Sequence, residues 1–219
     1  MMREYDLVVF DWDGTLMDST AHIVNAIQQA CRDLALPVPG REAASHVIGL
    51  RLAEAMQQFC PPDQAGRLPE LVDAFRRHYQ SGLDRVTLFD AARDTLEAIR
   101  ACGAFVAIAT GSSRAGLDRA LAAAGIKNLF DATRTVDECH SKPHPDMLLQ
   151  LTDLFGVALD RTVMVGDTSH DLLMARNAGS HGVGISHGAH DSAELISCEP
   201  RVIVHSLSEL SSWLLPRLC

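Results

Sequence analysis

Short apolar runs recur along this chain at intervals that a helix can fill. Residues 6–10, Phe105-Val106-Ala107-Ile108-Ala109, Thr162-Val163-Met164-Val165, Gly182-Val183-Gly184-Ile185 and Val202-Ile203-Val204 are short and mostly apolar. That is the pattern of parallel strands covered on both faces. Between them apolar residues fall at three-and-four spacing. Leu96 and Ile99 precede Gly103; Leu117, Leu121 and Ala124 precede Gly125; Met147, Leu148, Leu151, Leu154 and Phe155 precede Gly156; Leu172, Ala175 and Ala178 precede Gly179. Each glycine stands where a helix wants a left-handed end. Alternation of this kind predicts an α/β fold with a doubly wound parallel sheet.

From about Ser19 to Leu83 the alternation stops and only helical patterning remains. Ser19 is placed to cap a helix bearing Ile23, Ile27, Ala30, Cys31 and Leu34, which Pro37 and Pro39 end. Weaker helical patterns cover about 41–48, 51–59 and 64–80, split by Pro61-Pro62. The division expected is a helical domain over 18–83 inserted into an α/β core made of 1–17 and 84–219.

Composition changes this picture little. With 47% hydrophobic and 21% charged residues in 219, the chain has the make-up of an ordinary globular protein with a real core. A formal net charge of −9 argues against nucleic acid or an anionic membrane as the main partner. No apolar stretch reaches the roughly 18 residues of a membrane helix, and the first strand begins almost at the amino terminus, so a cytoplasmic protein is expected. The six cysteines (31, 60, 102, 139, 198 and 219) form no Cys-x-x-Cys pair. They are read as free thiols in a reducing compartment. Nothing here separates a monomer from a homodimer.

The chemistry gathers at strand ends, where open parallel sheets bind ligands. The first strand runs out into Asp11-Trp12-Asp13-Gly14-Thr15, the second into Thr110-Gly111-Ser112, and the third into Gly166-Asp167-Thr168-Ser169-His170-Asp171. Ser141-Lys142-Pro143 precedes a helix. Each piece alone is also an ordinary turn, cap or loop lysine. Together they match the needs of attack on a phosphate ester: a nucleophile, a cation, donors for the equatorial oxygens and an acid for the leaving alcohol. Asp11 can attack and hold a metal, and Asp13 can give and take the proton. Thr110 and the Gly111 amide can bind phosphoryl oxygens, Lys142 supplies a point charge, and Asp167 suits a magnesium ion.

These four segments resemble the haloacid dehalogenase-like superfamily of phosphohydrolases, and the resemblance spans nearly the whole chain. The insertion resembles the α-helical cap of the branch that holds phosphoglycolate phosphatases, pyrophosphatases and β-phosphoglucomutase. The resemblance implies an aspartyl-phosphate on Asp11 and general acid–base work by Asp13. It implies Mg2+ held by Asp11, the Asp13 carbonyl and Asp167, with Asp171 as ligand or neighbour, and a phosphoryl group stabilised by Thr110 and Lys142. Gly14, Gly111, Ser112 and the cap residue Arg51 are the remaining candidate phosphate or substrate contacts. The implied partner is a small phosphorylated metabolite, 2-phosphoglycolate first; pyrophosphate, a sugar phosphate or a phosphosugar mutase reaction are alternatives. A receiver module that keeps its phosphoryl group is the alternative of another class. Many relatives enter the helix after the cap through Pro-Gly, where this chain has Phe89-Asp90-Ala91. His140, His144 and His170 flank the signature segments and His181, His187 and His190 follow, at spacings that fit no zinc site.

Overall fold

A computed structural model describes residues 3–219. Six parallel strands form its sheet: β1 (Leu7–Phe10), β2 (Phe105–Thr110), β3 (Ala132–Thr135), β4 (Thr162–Gly166), β5 (His181–Ile185) and β6 (Val202–Val204), in the order β3-β2-β1-β4-β5-β6. Five of them answer to the apolar runs. The sixth, β3, corrects the five-strand expectation: Ala132-Thr133-Arg134-Thr135 has no apolar run, because an edge strand is only partly covered.

Alternate side chains of each strand feed opposite faces. Leu7, Val9, Ala107, Ala109 and Met164 pack with Leu148 and Leu151 of α7 (Asp146–Phe155) and Met174 of α8 (Ser169–Ala178). Val8, Phe10, Ile108 and Val165 pack on the other side. There they meet Leu96 and Ile99 of α5 (Ala92–Ala101), Leu117 of α6 (Arg114–Ala124), and Leu210 and Leu214 of α10 (Leu207–Leu218). Each buried Val, Leu, Ile, Phe or Met among them stabilises by roughly 1.5–3 kcal/mol. A short α9 (Ser192–Ser197) lies between β5 and β6. The glycines expected to end helices, Gly103, Gly125, Gly156 and Gly179, all have positive φ.

The inserted helices α1 (Thr20–Asp33), α2 (Arg41–His46), α3 (Leu52–Gln57) and α4 (Leu68–Gln80) bury their own apolar cluster, including Ile27, Ala30, Met56, Leu71 and Phe75. The two connectors to this cap run side by side. Asp18 N donates to Thr87 O at 2.9 Å, and Phe89 N to Leu16 O at 2.9 Å.

Two further readings are corrected. Cys102 and Cys219 are a disulfide pair with Cα atoms 5.3 Å apart, joining the end of α5 to the chain's end; Cys31, Cys60, Cys139 and Cys198 are free and buried. Ser19 stands at the head of α1 but makes no capping hydrogen bond, since its hydroxyl is directed at Asp13.

The departure at Phe89-Asp90-Ala91 acquires a physical meaning. Ala91 opens α5 with φ of 63°, in the left-handed region. A side chain there costs about 1 kcal/mol or more, while glycine would loosen the unfolded chain by about 0.5 kcal/mol. Ala91→Gly is expected to raise stability by about 0.5 kcal/mol, read as a higher urea midpoint at unchanged slope.

Candidate active site

The register of the sheet sets the site. Phe10 lies level with Ile108 and Val165, so Asp11 emerges at the carboxyl ends of β2 and β4. Its amide donates to Val165 O at 2.9 Å. Thr110 is the last residue of β2, Asp167 follows β4, and Asp171 sits in the first turn of α8. Lys142 comes from the loop between β3 and α7 and is fully buried. The structure therefore brings Asp11, Asp167, Asp171 and Lys142 into direct or near contact, with Asp13 and Thr110 beside them.

Lys142 Nζ lies 2.7 Å from Asp11 Oδ1 and 2.6 Å from Asp171 Oδ1, with all three side chains at most 1% exposed. Burial opposes its charge, but Asp11 and Asp171 outweigh that and hold the ammonium protonated above its ordinary range. The acids show the converse. Burial, reinforced by Asp171 and Asp167, pushes the Asp11 carboxyl well up, and Lys142 opposes it. Burial and the Asp171 charge raise Asp167 to about 7, against hydrogen bonds from Thr15 and Ala189.

Each acid has distinct partners. Asp167 Oδ1 accepts from Thr15 Oγ1 at 2.6 Å and its Oδ2 from Ala189 N at 2.7 Å. Asp171 Oδ2 accepts from Thr168 Oγ1 at 2.7 Å and Thr168 N at 3.1 Å, a capping box that starts α8. Asp171 thus serves its helix and Lys142 at once. Asp13 accepts from Ser19 Oγ and Ser112 Oγ, each at 2.8 Å. Burial raises its pKa, with those two hydrogen bonds opposing. Asp11 Oδ2, by contrast, is buried without a hydrogen-bond partner.

Backbone must come close to hold so many carboxylates together. A Cβ on Gly14, whose φ is +82°, would stand 2.2 Å from Asp167 Oδ2, and one on Gly188 would stand 2.1 Å from the same atom. Gly14 is therefore required for its closeness to Asp167, a role distinct from the phosphate contact expected of it. Gly111 faces the cap, where a Cβ would meet Gly49 O at 2.3 Å. Ser113, not Ser112, caps α6, accepting from Gly116 N.

The fit to a divalent cation can be tested on these residues. Asp11, Asp167 and Asp171 each offer an oxygen within 4.8 Å of the others. One ammonium faces three buried carboxylates, and Asp11 Oδ2 has no partner. An all-oxygen set with surplus negative charge suits a hard cation such as Mg2+.

Over the acids lies a cavity of about 370 Å³, floored by Asp11, Asp13 and Thr110 and roofed by the cap. Arg51 lines it, yet its guanidinium donates to the core carbonyls of Val136 and, at 3.3 Å, Cys139, and pairs with Glu54 at 3.7 Å. In this structure it ties cap to core. His170 Nε2 and His190 Nε2 reach the carbonyl of His46 on α2 at 2.8 and 3.3 Å. Those histidines thus lie at the cap–core boundary, which their spacing did not reveal.

Sequence reasoning missed Ser19, Gly188 and Ala189 as supports of the acids. Ser19 carried a signal, a hydroxyl six residues after Asp13; the stretch after β5 carried only its position at a strand end.

Residues 8–185 match the family model described as haloacid dehalogenase-like hydrolase. The chain is 38% identical to the probable phosphatase IndB of Dickeya dadantii (strain 3937), covering 93% of this chain and 91% of that one. It is 29% identical to a phosphoglycolate phosphatase of Vibrio parahaemolyticus (95% of each) and 26% to the pyrophosphatase PpaX of Halalkalibacterium halodurans (94% and 95%). The crystal structure of a predicted phosphoglycolate phosphatase from Haemophilus somnus 129pt superposes with a TM-score of 0.84 at 24% identity, covering 97% and 99%.

Removing the buried ammonium would leave two carboxylates facing each other. Lys142→Ala is expected to cost roughly 3–5 kcal/mol in EDTA by chemical denaturation, with added divalent cation recovering more stability in the variant than in the parent.

Proposed function

Because the chain belongs to the haloacid dehalogenase-like hydrolases and is a phosphatase of that family, we propose that it is a Mg2+-dependent phosphohydrolase working through an aspartyl-phosphate on Asp11. The observation that carries this reading is the Asp11 carboxylate itself. It is buried, paired with Lys142 on one oxygen and unpartnered on the other, at the floor of the cavity.

An Asp11 oxygen attacks phosphorus as the phosphorus–oxygen ester bond breaks. The Asp13 carboxyl, whose pKa burial raises, gives a proton to the leaving alcohol. Asp13, now ionised, takes a proton from water as the water attacks phosphorus, releasing inorganic phosphate and restoring Asp11. Ser19 and Ser112 hold both Asp13 oxygens, fixing its orientation through the cycle. The Thr110 hydroxyl and Gly111 and Ser112 amides stand at the same strand end as donors for phosphoryl oxygens, although Ser112 N is bonded to Thr110 Oγ1 at 3.0 Å before substrate arrives. Mg2+ would be held by Asp11, Asp167 and the Asp13 carbonyl, with Asp171 beside it, and would neutralise charge on the phosphoryl oxygens.

The relatives' names bring 2-phosphoglycolate and pyrophosphate to this chain as candidate substrates, and a small phosphorylated metabolite as the partner. Both names come from relatives at 30% identity or less, whereas IndB, at 38%, is named for no substrate.

Asp11→Asn is expected to lower kcat at least 10³-fold at unchanged circular dichroism, and EDTA to abolish activity that Mg2+ restores. Normal turnover by folded Asp11→Asn protein would remove the covalent role. Asp13→Asn is expected to lower kcat about 10²–10⁴-fold on an alkyl phosphate and much less on p-nitrophenyl phosphate, whose leaving group needs no proton.

A further inference from the structure

Three arginines line the cavity over Asp11: Arg51 and Arg76 from the cap, and Arg119 from α6. Two of them are committed to protein groups. Arg51 lies on the carbonyls of Val136 and Cys139 and beside Glu54, and Arg76 pairs with Asp73 at 3.2 Å. The Arg119 guanidinium has no ion pair among the described residues. Its neighbour in the chain, Asp118, is shared by Arg114 at 3.8 Å and Lys127 at 3.6 Å. The exposed acid on the same cavity, Asp137, accepts from Arg114 N at 2.8 Å.

Local structure directs this side chain. Gly116, Arg119 and Ala120 line the cavity from α6, at the three-and-four spacing of one helix face. A long side chain on a helix leans toward the amino terminus, over the residues three and four before it. For Arg119 those are Gly116 and Ala115, too small to obstruct it. That end of α6 follows Thr110-Gly111-Ser112, where the phosphoryl donors stand.

The cap supplies a donor to the same space. Tyr79 of α4 lines the cavity, its ring stacked on Phe75 at 5.6 Å and tilted against His22 at 5.3 Å. His22 Nε2 reaches the Tyr79 carbonyl at 2.6 Å, while the Tyr79 hydroxyl has no partner among the described residues. The Asp13 charge and burial raise the Tyr79 pKa, and the Arg119 charge opposes them. One hydroxyl therefore feels both the acid proposed to protonate the leaving oxygen and the uncommitted guanidinium. The leaving half of a bound substrate lies in this space, because Asp13 has to reach its oxygen. An anion there needs a cation, since a buried unpaired charge is heavily penalised.

We infer that Arg119 is a specificity-determining residue: with the Tyr79 hydroxyl, it receives an anionic group, a carboxylate or a second phosphoryl, on the leaving half of the substrate. This deepens the phosphohydrolase reading and rests on it. The bonds that hold Asp11, Asp13, Asp167 and Lys142 come from other residues, so Arg119 contributes to selection. It is exposed, and substitution there costs little stability.

The test measures kcat/KM for ethyl phosphate, 2-phosphoglycolate and pyrophosphate in Mg2+, with the full chain and with its Arg119→Gln variant. Ethyl phosphate and 2-phosphoglycolate share a two-carbon skeleton and differ by the carboxylate. Comparing each compound across the two proteins removes differences in intrinsic reactivity. The preference for at least one anionic substrate over ethyl phosphate is expected to fall tenfold or more in Arg119→Gln, in line with loss of a charge-assisted hydrogen bond. The substrate that loses more names the anion. A smaller fall for both overturns the inference, and a role in packing alone would give that result by lowering all three together. Turnover of ethyl phosphate with neither anionic compound hydrolysed by the full chain overturns it as well, and leaves the phosphohydrolase reading standing. If nothing is turned over, that reading fails. Calorimetric binding of the same compounds to Asp11→Asn protein, with and without Arg119→Gln, then decides the inference by the same tenfold margin.

Discussion

Three carboxylates and one ammonium share a volume that water does not reach, and much of the molecule is arranged to keep them there. Asp11, Asp167 and Asp171 are each at most 1% exposed, and Lys142 is as deeply buried. Like charges this close repel one another, so the cluster depends on donors supplied to its oxygens. Thr15, Ala189 and Thr168 supply those donors from three different stretches. The oxygen left over belongs to Asp11, the group that the proposed chemistry needs to be reactive. The surplus of negative charge is also what gives a cation reason to bind. Support and reactivity therefore come from one imbalance, not from separate devices.

That imbalance sets demands on residues with no chemistry of their own. Gly14 and Gly188 approach Asp167 so closely that any Cβ would displace it. A parallel sheet gives the required convergence because its strand ends all open to one side, and β1 at the centre has both neighbours in register. Asp13 follows the opposite logic. It is bonded to two hydroxyls and no charge, so burial can lift its pKa without Lys142 holding it ionised at close range. Two acids two residues apart are thereby given different environments, the usual means of separating nucleophile from acid.

Much of this was legible in the chain itself. The central strands announce themselves as apolar runs because both faces are covered; Asp11, Asp13, Thr110 and Asp167 are recognisable by their places at strand ends, and Lys142 by its place before a helix. What escaped did so for physical reasons. Strand β3 is partly exposed at an edge, so its composition is polar. Ser19 was legible as a cap because a hydroxyl before a helix offers the same chemistry to a backbone amide as to a carboxylate. Cys102 and Cys219 are separated by 117 positions, and no local pattern marks such a pair. Arg51 was visible as a cation, but only packing shows its guanidinium on the carbonyls of Val136 and Cys139. Local sequence encodes which atoms are on offer; the fold decides which of them are already spent.

The cap shows how such a site can be dry and still reachable. Its contacts with the core include polar ones: the Arg51 guanidinium on core carbonyls, Arg51 N on Ser141 Oγ at 3.0 Å, and the His46 carbonyl facing His170 and His190. Water can replace each of these at modest net cost. The apolar cap residues are instead committed to the cap's own cluster or to the cavity wall. The paired connectors at 16–18 and 87–89 keep the two halves joined. Closing restores a low-dielectric lining around the acids, where each charge acts more strongly than in water.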